Sequence, residues 1–525
     1  MYVPFVGPSY EARSKNIDAE RCINMYCEKT EVEDGKSKIS LISCSGKKPW
    51  IQLPQAGVRG SWLVPGENLG VTDRLFAVAS NTLYEIMQNG TVVTRGTLRT
   101  TSGFVGLSNN NQQLMITDGV YIYILCLTQF TYTIQGITGI VPPAGSVVST
   151  NATQNTSTVV VPANTFTTVL PNTTDDQGNP NSPLAGSTCC YMDSYLITHK
   201  NGTATFGISD NNNGLSWDGL DQAQKEGSPD QIVAVAMFHR NLVLFGQYTS
   251  EIWYDSGSTT FPFAPIQGVF METGCAAPFS VCNIDNTIYW VGYDKKGWGM
   301  VFKLNGYLPQ RISTHAIEKM INETGSAPLI NSYAYQEEGH SFIVINAPNL
   351  GTTLVYDAAT QLWHERQSID FSGNLNRDCV GFHSFAFGQH ILFDYQTADV
   401  YIGSVDFYTD GAQPLRRIRV SPHMHKDLKY IFFRALQIDM ETGVGLDGNP
   451  AVGTNPQAIL KYSNDGGYTF GNEIYRSLGA IGQKKTRVRY TNLGRARDRV
   501  WWFEVADPVK VVIMDATLDA LEGNS

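Results

Sequence analysis

The sequence predicts an all-β protein: a β-propeller of seven blades, with six as the alternative count, after an N-terminal extended arm at 1–55 and before a C-terminal β-sandwich-like domain at 411–525. Three observations predict it. One short phrase, an apolar strand, a turn and an answering strand, recurs seven times along the chain. Aromatic and β-branched residues fill the strands, while Gly, Asn and Asp sit at the turns. Of 525 residues only 16% are charged and 11% are aromatic, a balance that suits an ordered β-rich protein.

The copies run Arg74–Met87, Gln113–Cys126, Tyr195–Ser209, Leu242–Asp255, Thr287–Asn305, Ser341–Asp357 and His390–Ser404. Anchored on Leu75, Leu114, Leu196, Val243, Tyr289, Ile343 and Leu392, they are spaced 39, 82, 47, 46, 54 and 49 residues apart. Repeats of about 40–50 residues mark propellers and solenoids. Each copy is preceded by another strand-like run, such as Gln231–His239, Pro278–Ile284 or Cys379–Gly388, and followed by a further extended stretch. That gives three to four strands per unit, the content of a blade. An unclosed series of sandwiches is the alternative; a closed ring better resolves the edges of so many short strands.

The long second interval contains an excursion, 136–186, rich in Thr, Asn, Ser, Val and Pro. It reads either as a small β unit projecting from the second blade or as a mobile surface loop. The arm is polar and is expected to hold one or two strands. It either wraps or closes its own propeller, or reaches a neighbouring subunit. In the C-terminal unit, Arg416–Ser421, Tyr430–Met440, Ala458–Ser463, Thr486–Leu493, Arg499–Ala506 and Val509–Ala520 alternate like sandwich strands with one wet face. Thr314–Asn322 is the clearest helix, with Ala316, Ile317, Met320 and Ile321 on one side.

No run of eighteen apolar residues is present, so no membrane span is expected, and the first residues lack the basic start and apolar stretch of a secretory signal. Nine cysteines show no Cys-x-x-Cys spacing, which favours free buried thiols over a disulfide framework or a zinc site. Charge is uneven. Residues 410–510 hold 16 Lys and Arg against 10 Asp and Glu; with chain totals of 38 and 48, the remainder holds 22 against 38. Charge-distinct regions suggest different partners.

The sharpest local motif is Ser463-x-Asp465-x-Gly467-x-Thr469-Phe470, the Asp-box pattern of sialidases and other β proteins. It reads as a structural turn, in which the carboxylate bonds the turn backbone and Gly supplies the permissive torsion. A sialidase also needs an arginine triad, and Arg74, Arg95, Arg240, Arg311 and Arg366 recur at no common blade position. His423 and His425 can share a strand face but lack an evident third metal ligand. The carboxylate pairs Asp175–Asp176 and Glu337–Glu338 lie in polar, turn-like stretches. No nucleophile elbow, phosphate loop or dinucleotide fingerprint occurs. We therefore expect no enzyme, no catalytic residue, no cofactor and no metal site. Arg416, Arg417 and Arg419, with Lys484, Lys485, Arg487 and Arg489, and with Arg495, Arg497 and Arg499 nearby, form basic sets. They could meet DNA phosphates, an acidic protein or only solvent.

The arm adds a family resemblance. Its Gly7-Pro-Ser-Tyr10 start, the stretch Asp18-Ala-Glu-Arg21-Cys-Ile-Asn24-Met-Tyr26-x-Glu28, the Leu41-Ile42-x-x-x-Gly46 segment and, later, Arg311–Glu318 resemble the packaged-DNA stabilisation proteins of short-tailed bacteriophages, also called tail hub or nozzle proteins. A Pro-Gly-Leu-like turn expected near the arm's end is replaced by Ser45-Gly46-Lys47-Lys48. The resemblance implies a structural virion protein of the tail, made in the host bacterial cytoplasm. It implies a homohexameric ring below the portal and its adaptor ring, which extends the channel for packaged double-stranded DNA. That ring would hold tail spikes or fibres, be sealed by a needle or plug, and retain DNA until ejection. Under it, Tyr10, Arg13, Arg21, Asn24 and Tyr26 of the arm join the basic sets as expected partner contacts. A glycan-binding or glycan-hydrolysing propeller is the alternative function, and a DNA-binding propeller the third.

Overall fold

All seven anchor residues fall in the second strand of an antiparallel sheet. The computed structural model describes residues 2–523 apart from 31–36, 67–71, 172, 174–176, 180, 296, 428 and 448–451; the pair Asp175–Asp176 lies outside the described residues. Six anchors are buried because each second strand is covered on both faces by neighbouring sheets. In the seventh repeat the buried residue is Ile391 rather than Leu392, one position out of register.

Among the described residues seven such sheets follow one another. The first is Val58–Val64, Arg74–Ala79, Thr82–Ile86 and Val92–Thr97. The next begin at Gly106–Asn109, Cys189–Met192, Ile232–Phe238, Gly274–Cys275 with Cys282–Ile284, and Asn331–Glu337. The last begins at Val380–Ala386. First strands touch in sequence, with the turn Pro278–Ser280 carrying the contact between the fourth and sixth sheets, and Val380–Ala386 meets Val58–Val64 to complete the ring. This is a β-propeller.

The seventh sheet takes its outer strand from the arm: Gly46–Gln52 lies antiparallel to Asp399–Ser404, with Ser404 opposite Gly46 and Asp399 opposite Gln52. Gly46 is required there, since a Cβ would sit 2.3 Å from the Phe407 carbonyl oxygen. The arm is richer in structure than the sequence suggested. Beyond Gly46–Gln52 it holds Tyr2–Val3, Tyr10–Glu11, Ala19–Ile23, Met25–Lys29 and Ile39–Ser43. All of them pair within this chain. Their partners are up to several hundred residues away, so no local pattern announces them.

Those strands build the second domain. One sandwich sheet runs Met25–Lys29, Ile39–Ser43, Val512–Glu522, Ile431–Met440 and Val488–Thr491. The other begins on the outer strand of the sixth blade, Leu362–Ile369, and passes through Ala19–Ile23, Arg417–Val420, Asp498–Val505, Gln457–Ser463 and Ile474–Ser477. Propeller and sandwich thus share one hydrogen-bonded sheet. Phe5, Cys22, Met25 and Leu41 of the arm lie in one core with Phe433, Leu460, Trp501 and Ile513. Burying each large apolar side chain there contributes about 1.5–3 kcal/mol.

The excursion is a three-stranded sheet, Phe130–Gln135, Thr156–Val161 and Val147–Asn151 in spatial order. It starts before 136, and Phe166–Val169 already belongs to the second blade as its outer strand. The helix is His315–Glu323, capped by the Thr314 hydroxyl, which accepts from Ile317 N at 3.4 Å. Its Ala316, Ile317 and Ile321 are buried and Met320 packs partly against the same core. All nine cysteines are unbridged, and burial pushes the Cys27 and Cys44 thiols up to about 11. No described helix is long and apolar enough to cross a membrane.

Candidate functional site: a clasped arm and a basic edge

The arm residues singled out in the sequence divide by burial. Arg13 is exposed and Tyr10 half-buried, whereas Asn24 and Tyr26 are buried and Arg21 faces inward. The Arg21 guanidinium donates to both oxygens of Glu365, at 3.1 Å from Nε and 2.5 Å from Nη2. Glu365 also accepts from Ser9 Oγ at 2.5 Å and Thr352 Oγ1 at 2.9 Å. Burial alone would raise its carboxyl, but the Arg21 charge and these donors hold it below the ordinary carboxylate range. Asn24 sits at φ 56°, which lets its amide bridge three elements. It donates to Gln367 O and Arg416 O at 2.9 and 2.8 Å and accepts from Gln367 N at 3.0 Å. The Tyr26 ring packs edge-on against His340 and Phe342, and burial raises its phenol. Arg21, Asn24 and Tyr26 therefore bind the arm to its own chain, and of the arm residues expected at a partner only Arg13 and part of Tyr10 face solvent.

The C-terminal basic sets divide in the same way. Arg417 and Arg419 are fully buried, not lined along an open strand face. Arg419 donates to the carbonyls of Phe5 at 2.6 Å, Pro8 at 2.8 Å and Arg21 at 3.3 Å, and it pairs with Glu20. Arg417 donates to Tyr408 O and Asp507 O, and burial brings its guanidinium down to about 10. Arg416 pairs with Glu504 at 2.6 Å. Arg499 is buried among Phe433, Tyr462 and Trp501, with its guanidinium carbon 4.3, 4.2 and 5.0 Å from the ring centroids. These arginines act as internal fasteners, because a planar fork of five donors satisfies several carbonyls at once.

Lys484, Lys485, Arg487 and Arg489 are exposed, as are Arg434, Arg495 and Arg497. Arg489 lies opposite Gln437 and Arg495 opposite Phe432 across neighbouring strands. Arg495 and Arg497 stand 4.9 and 4.7 Å from the Tyr430 ring, which presets their orientation. Phe432 is 43% exposed and Leu521, its neighbour on the other side, 47%. The result is an apolar pair beside a basic rim on the outer sandwich sheet, the layout of a protein-binding patch. Phe432, Leu521 and Arg434 were not singled out from sequence; their outward positions on an alternating strand were the available signal.

The Asp-box is built as a turn. Asp465 accepts from Ser463 Oγ at 2.6 Å, Tyr468 N at 3.1 Å and Thr469 N at 3.0 Å, and also from Thr469 Oγ1 at 2.5 Å. Gly467 takes φ 86°, and Phe470 packs against Trp502. The hydrogen bonds from Ser463 and Thr469 hold the Asp465 carboxyl well below the usual range. The five arginines weighed as a sialidase triad stay apart. Arg74 and Arg95 share Glu85, Arg240 pairs with Asp193, Arg311 with Glu318, and Arg366 bonds Tyr335. Both His423 nitrogens are engaged, Nδ1 with Asp498 at 2.7 Å and Nε2 with Lys15 O at 2.6 Å, while His425 is exposed. Glu337 accepts from Ser45 and Glu338 is exposed. On the propeller axis, Phe104 meets Phe279 at 5.2 Å and Phe382 at 5.8 Å. A cavity of about 580 Å³ is walled by Phe279, Phe382, Trp62, Leu107, Tyr191 and Val235.

Comparison with known proteins bears on both domains. Residues 54–368 match the family model described as bacteriophage P22 Gp10, beta-propeller, and residues 416–520 match the model described as bacteriophage P22 Gp10, beta-sandwich. Comparison with curated protein sequences gives no match. Among solved structures, the N-terminal domain of Nup159 is similar at 8% identity and TM-score 0.36, over 72% of this chain and 98% of that one. The WD40 beta propeller domain of Doa1 is similar at 10% identity and TM-score 0.33, over 69% and 96%. The extracellular domain of the putative hybrid two component system BT4673 from B. thetaiotaomicron is similar at 10% identity and TM-score 0.37, over 87% and 56%. These structural likenesses are too slight to add to the assignment. The two family models match the propeller and the sandwich in their observed order, and together they cover most of the sequence; the chain belongs to the bacteriophage P22 Gp10 family and is a structural protein of a phage tail.

Proposed function

We propose that the protein is the hub of a short tail: a homohexameric ring that extends the channel of the portal and its adaptor, carries tail spikes or fibres, is sealed by a needle or plug, and retains packaged double-stranded DNA until ejection. The observation that carries this reading is the two-domain family match. The sandwich surface supports it. Arg434, Arg495 and Arg497 lie beside exposed Phe432 and Leu521, Arg489 sits further along the same strand at Gln437, and exposed Lys484, Lys485 and Arg487 follow towards its far end, while the rest of the chain is strongly acidic. An apolar centre with a basic rim favours an acidic protein surface over bare DNA phosphates. A neighbouring subunit or a tail component of that chemistry would seat there. The acidic bulk suits a channel wall that lets DNA slide.

The test is native mass measurement of the purified chain alone and mixed with the adaptor ring. A hexameric mass and a joint complex are expected. A chain that stays monomeric and binds no adaptor overturns the proposal. Charge reversal at Arg489, Arg495 and Arg497 should leave the fold intact and weaken assembly. If it instead abolishes salt-sensitive DNA binding while assembly persists, the patch is a DNA contact.

A further inference from the structure

We propose that Val147–Asn151 is a docking edge, which takes up an extended, uncharged segment of a different tail protein by strand addition. The proposal rests on the tail-hub reading. The strand is the last in its sheet: Thr156–Val161 pairs with it on one side, Val147 opposite Val160 through Asn151 opposite Thr156, and among the described residues no strand pairs with it on the other. All five of its residues are exposed, Val147 at 63% and Val148 at 38%. It therefore adds two valines to the surface and nothing to a core.

The platform beneath is firm. Phe130, Ile134, Val159 and Val161 are buried together with Leu215 and Trp217, and the Ser157 hydroxyl donates to Gly136 O at 2.8 Å. The edge also lacks the usual shields. Natural proteins blunt an open strand with charge, proline, a bulge or a covering loop. Here no charged residue occurs between Asp118 and Asp175, no proline lies in the strand, and the register runs without a shift.

The occupant follows from area and charge. Two copies pairing through this edge about Ser149 would join only about 17 Å of strand. A stable association of folded partners needs about 800 Å² from each side. An added peptide strand is held by main-chain hydrogen bonds and needs no such area, and its side chains are selected by the local surface. A charged strand laid against neutral Val, Ser, Thr and Asn would lose hydration with no counter-charge near, so the segment is uncharged.

Hydrogen exchange over residues 145–153 tests this in three samples: the isolated chain, its homo-oligomer, and tails purified from virions. Amides facing away from Thr156–Val161 should exchange fast in the first two and slow by about 100-fold or more in the tails. In virions carrying Val148→Lys with Thr150→Lys, a surface change that leaves the fold intact, the tails should lack one component while adaptor binding persists. Protection already complete in the homo-oligomer means a second copy fills the edge, and overturns the proposal. Fast exchange in tails that contain the chain overturns it while leaving the hub reading standing. Absence of the chain from purified tails overturns both.

Discussion

Replacing Lys47 by Met should open the propeller at its seventh blade. The Lys47 ammonium is buried between Asp378 at 2.5 Å and Asp410 at 2.6 Å, and it also reaches Ser368 Oγ at 3.2 Å. Methionine keeps much of the stem and removes the charge. Asp378 retains Ser368 Oγ and Val380 N, each at 3.2 Å, but both carboxylates lose their shared counter-ion. Breaking a buried pair by removing one partner costs about 3–5 kcal/mol. The two contacts share one ammonium and are not additive, so a loss of about 4 kcal/mol at pH 7 is expected. Urea unfolding followed by tryptophan fluorescence measures it, since Trp50 lies three residues along the same strand. The pH dependence has a definite sign. Burial raises the Asp378 carboxyl, but Lys47 brings it below its ordinary value, so its stabilisation is present above the unfolded carboxylate pKa of about 3.9 and is lost as pH falls through the lower folded value. Burial lowers Lys47, but Asp378 and Asp410 raise it well above its ordinary value, so its contribution is present up to about pH 10.4 and is lost only as pH rises through the folded value. In the Met variant the Asp378 carboxylate, buried without its counter-ion, escapes by protonation, so the deficit should shrink as pH falls from 7 towards 4. A deficit below about 1 kcal/mol at pH 7, or one that is flat with pH, would refute the clasp.

Arg419→Met should cost about 4–5 kcal/mol, because the carbonyls of Phe5, Pro8 and Arg21 lose a donor and Glu20 loses its partner; trypsin cleavage after exposed Arg13 should then accelerate, and unchanged cleavage counts against the arm being held there. Gly46→Ala drives a methyl to 2.3 Å from a backbone oxygen and should destabilise the chain by about 3 kcal/mol in the same urea assay. Asp465→Ala should loosen the turn from Gly466 to Thr469, seen as faster amide exchange there. In the native chain the turn should persist down to about pH 4, because the Asp465 carboxyl is held below the ordinary range and its stabilisation is lost only as pH falls through that lower value.

The hairpins were legible because their two strands and turn lie within about twenty residues, where alternation and turn chemistry speak locally. The helix was legible from Ala316, Ile317 and Ile321 on one side of an exposed turn of sequence. The route of the arm was not. Ala19–Ile23 pairs with Leu362–Ile369 and Arg417–Val420, and nothing near residue 20 marks a partner so distant. The arginines misled for a different reason. Arg almost never lies fully inside unless paired, so Arg417, Arg419 and Arg499 read as surface. Only the carbonyl ends and aromatic rings around them show that the fold buries them. The excursion's start was misplaced because Phe130–Gln135 follows directly on the second blade's hairpin, and nothing local marks that its partner is Thr156–Val161.

The seventh blade's borrowed strand sets a clock on synthesis. Gly46–Gln52 leaves the ribosome roughly 350 residues before Asp399–Ser404, and at about 5–20 residues per second it waits about 20–70 s for its neighbour. Six blades can form on the growing chain, but the ring stays open until the seventh hairpin emerges. Ala19–Ile23 waits longer still, for Arg417–Val420. An incomplete chain thus exposes unpaired strands at both ends of the ring. A nascent chain cannot present its finished outer surface until nearly all of it has been made, because the last strands to emerge are the ones that close the ring and cover the arm.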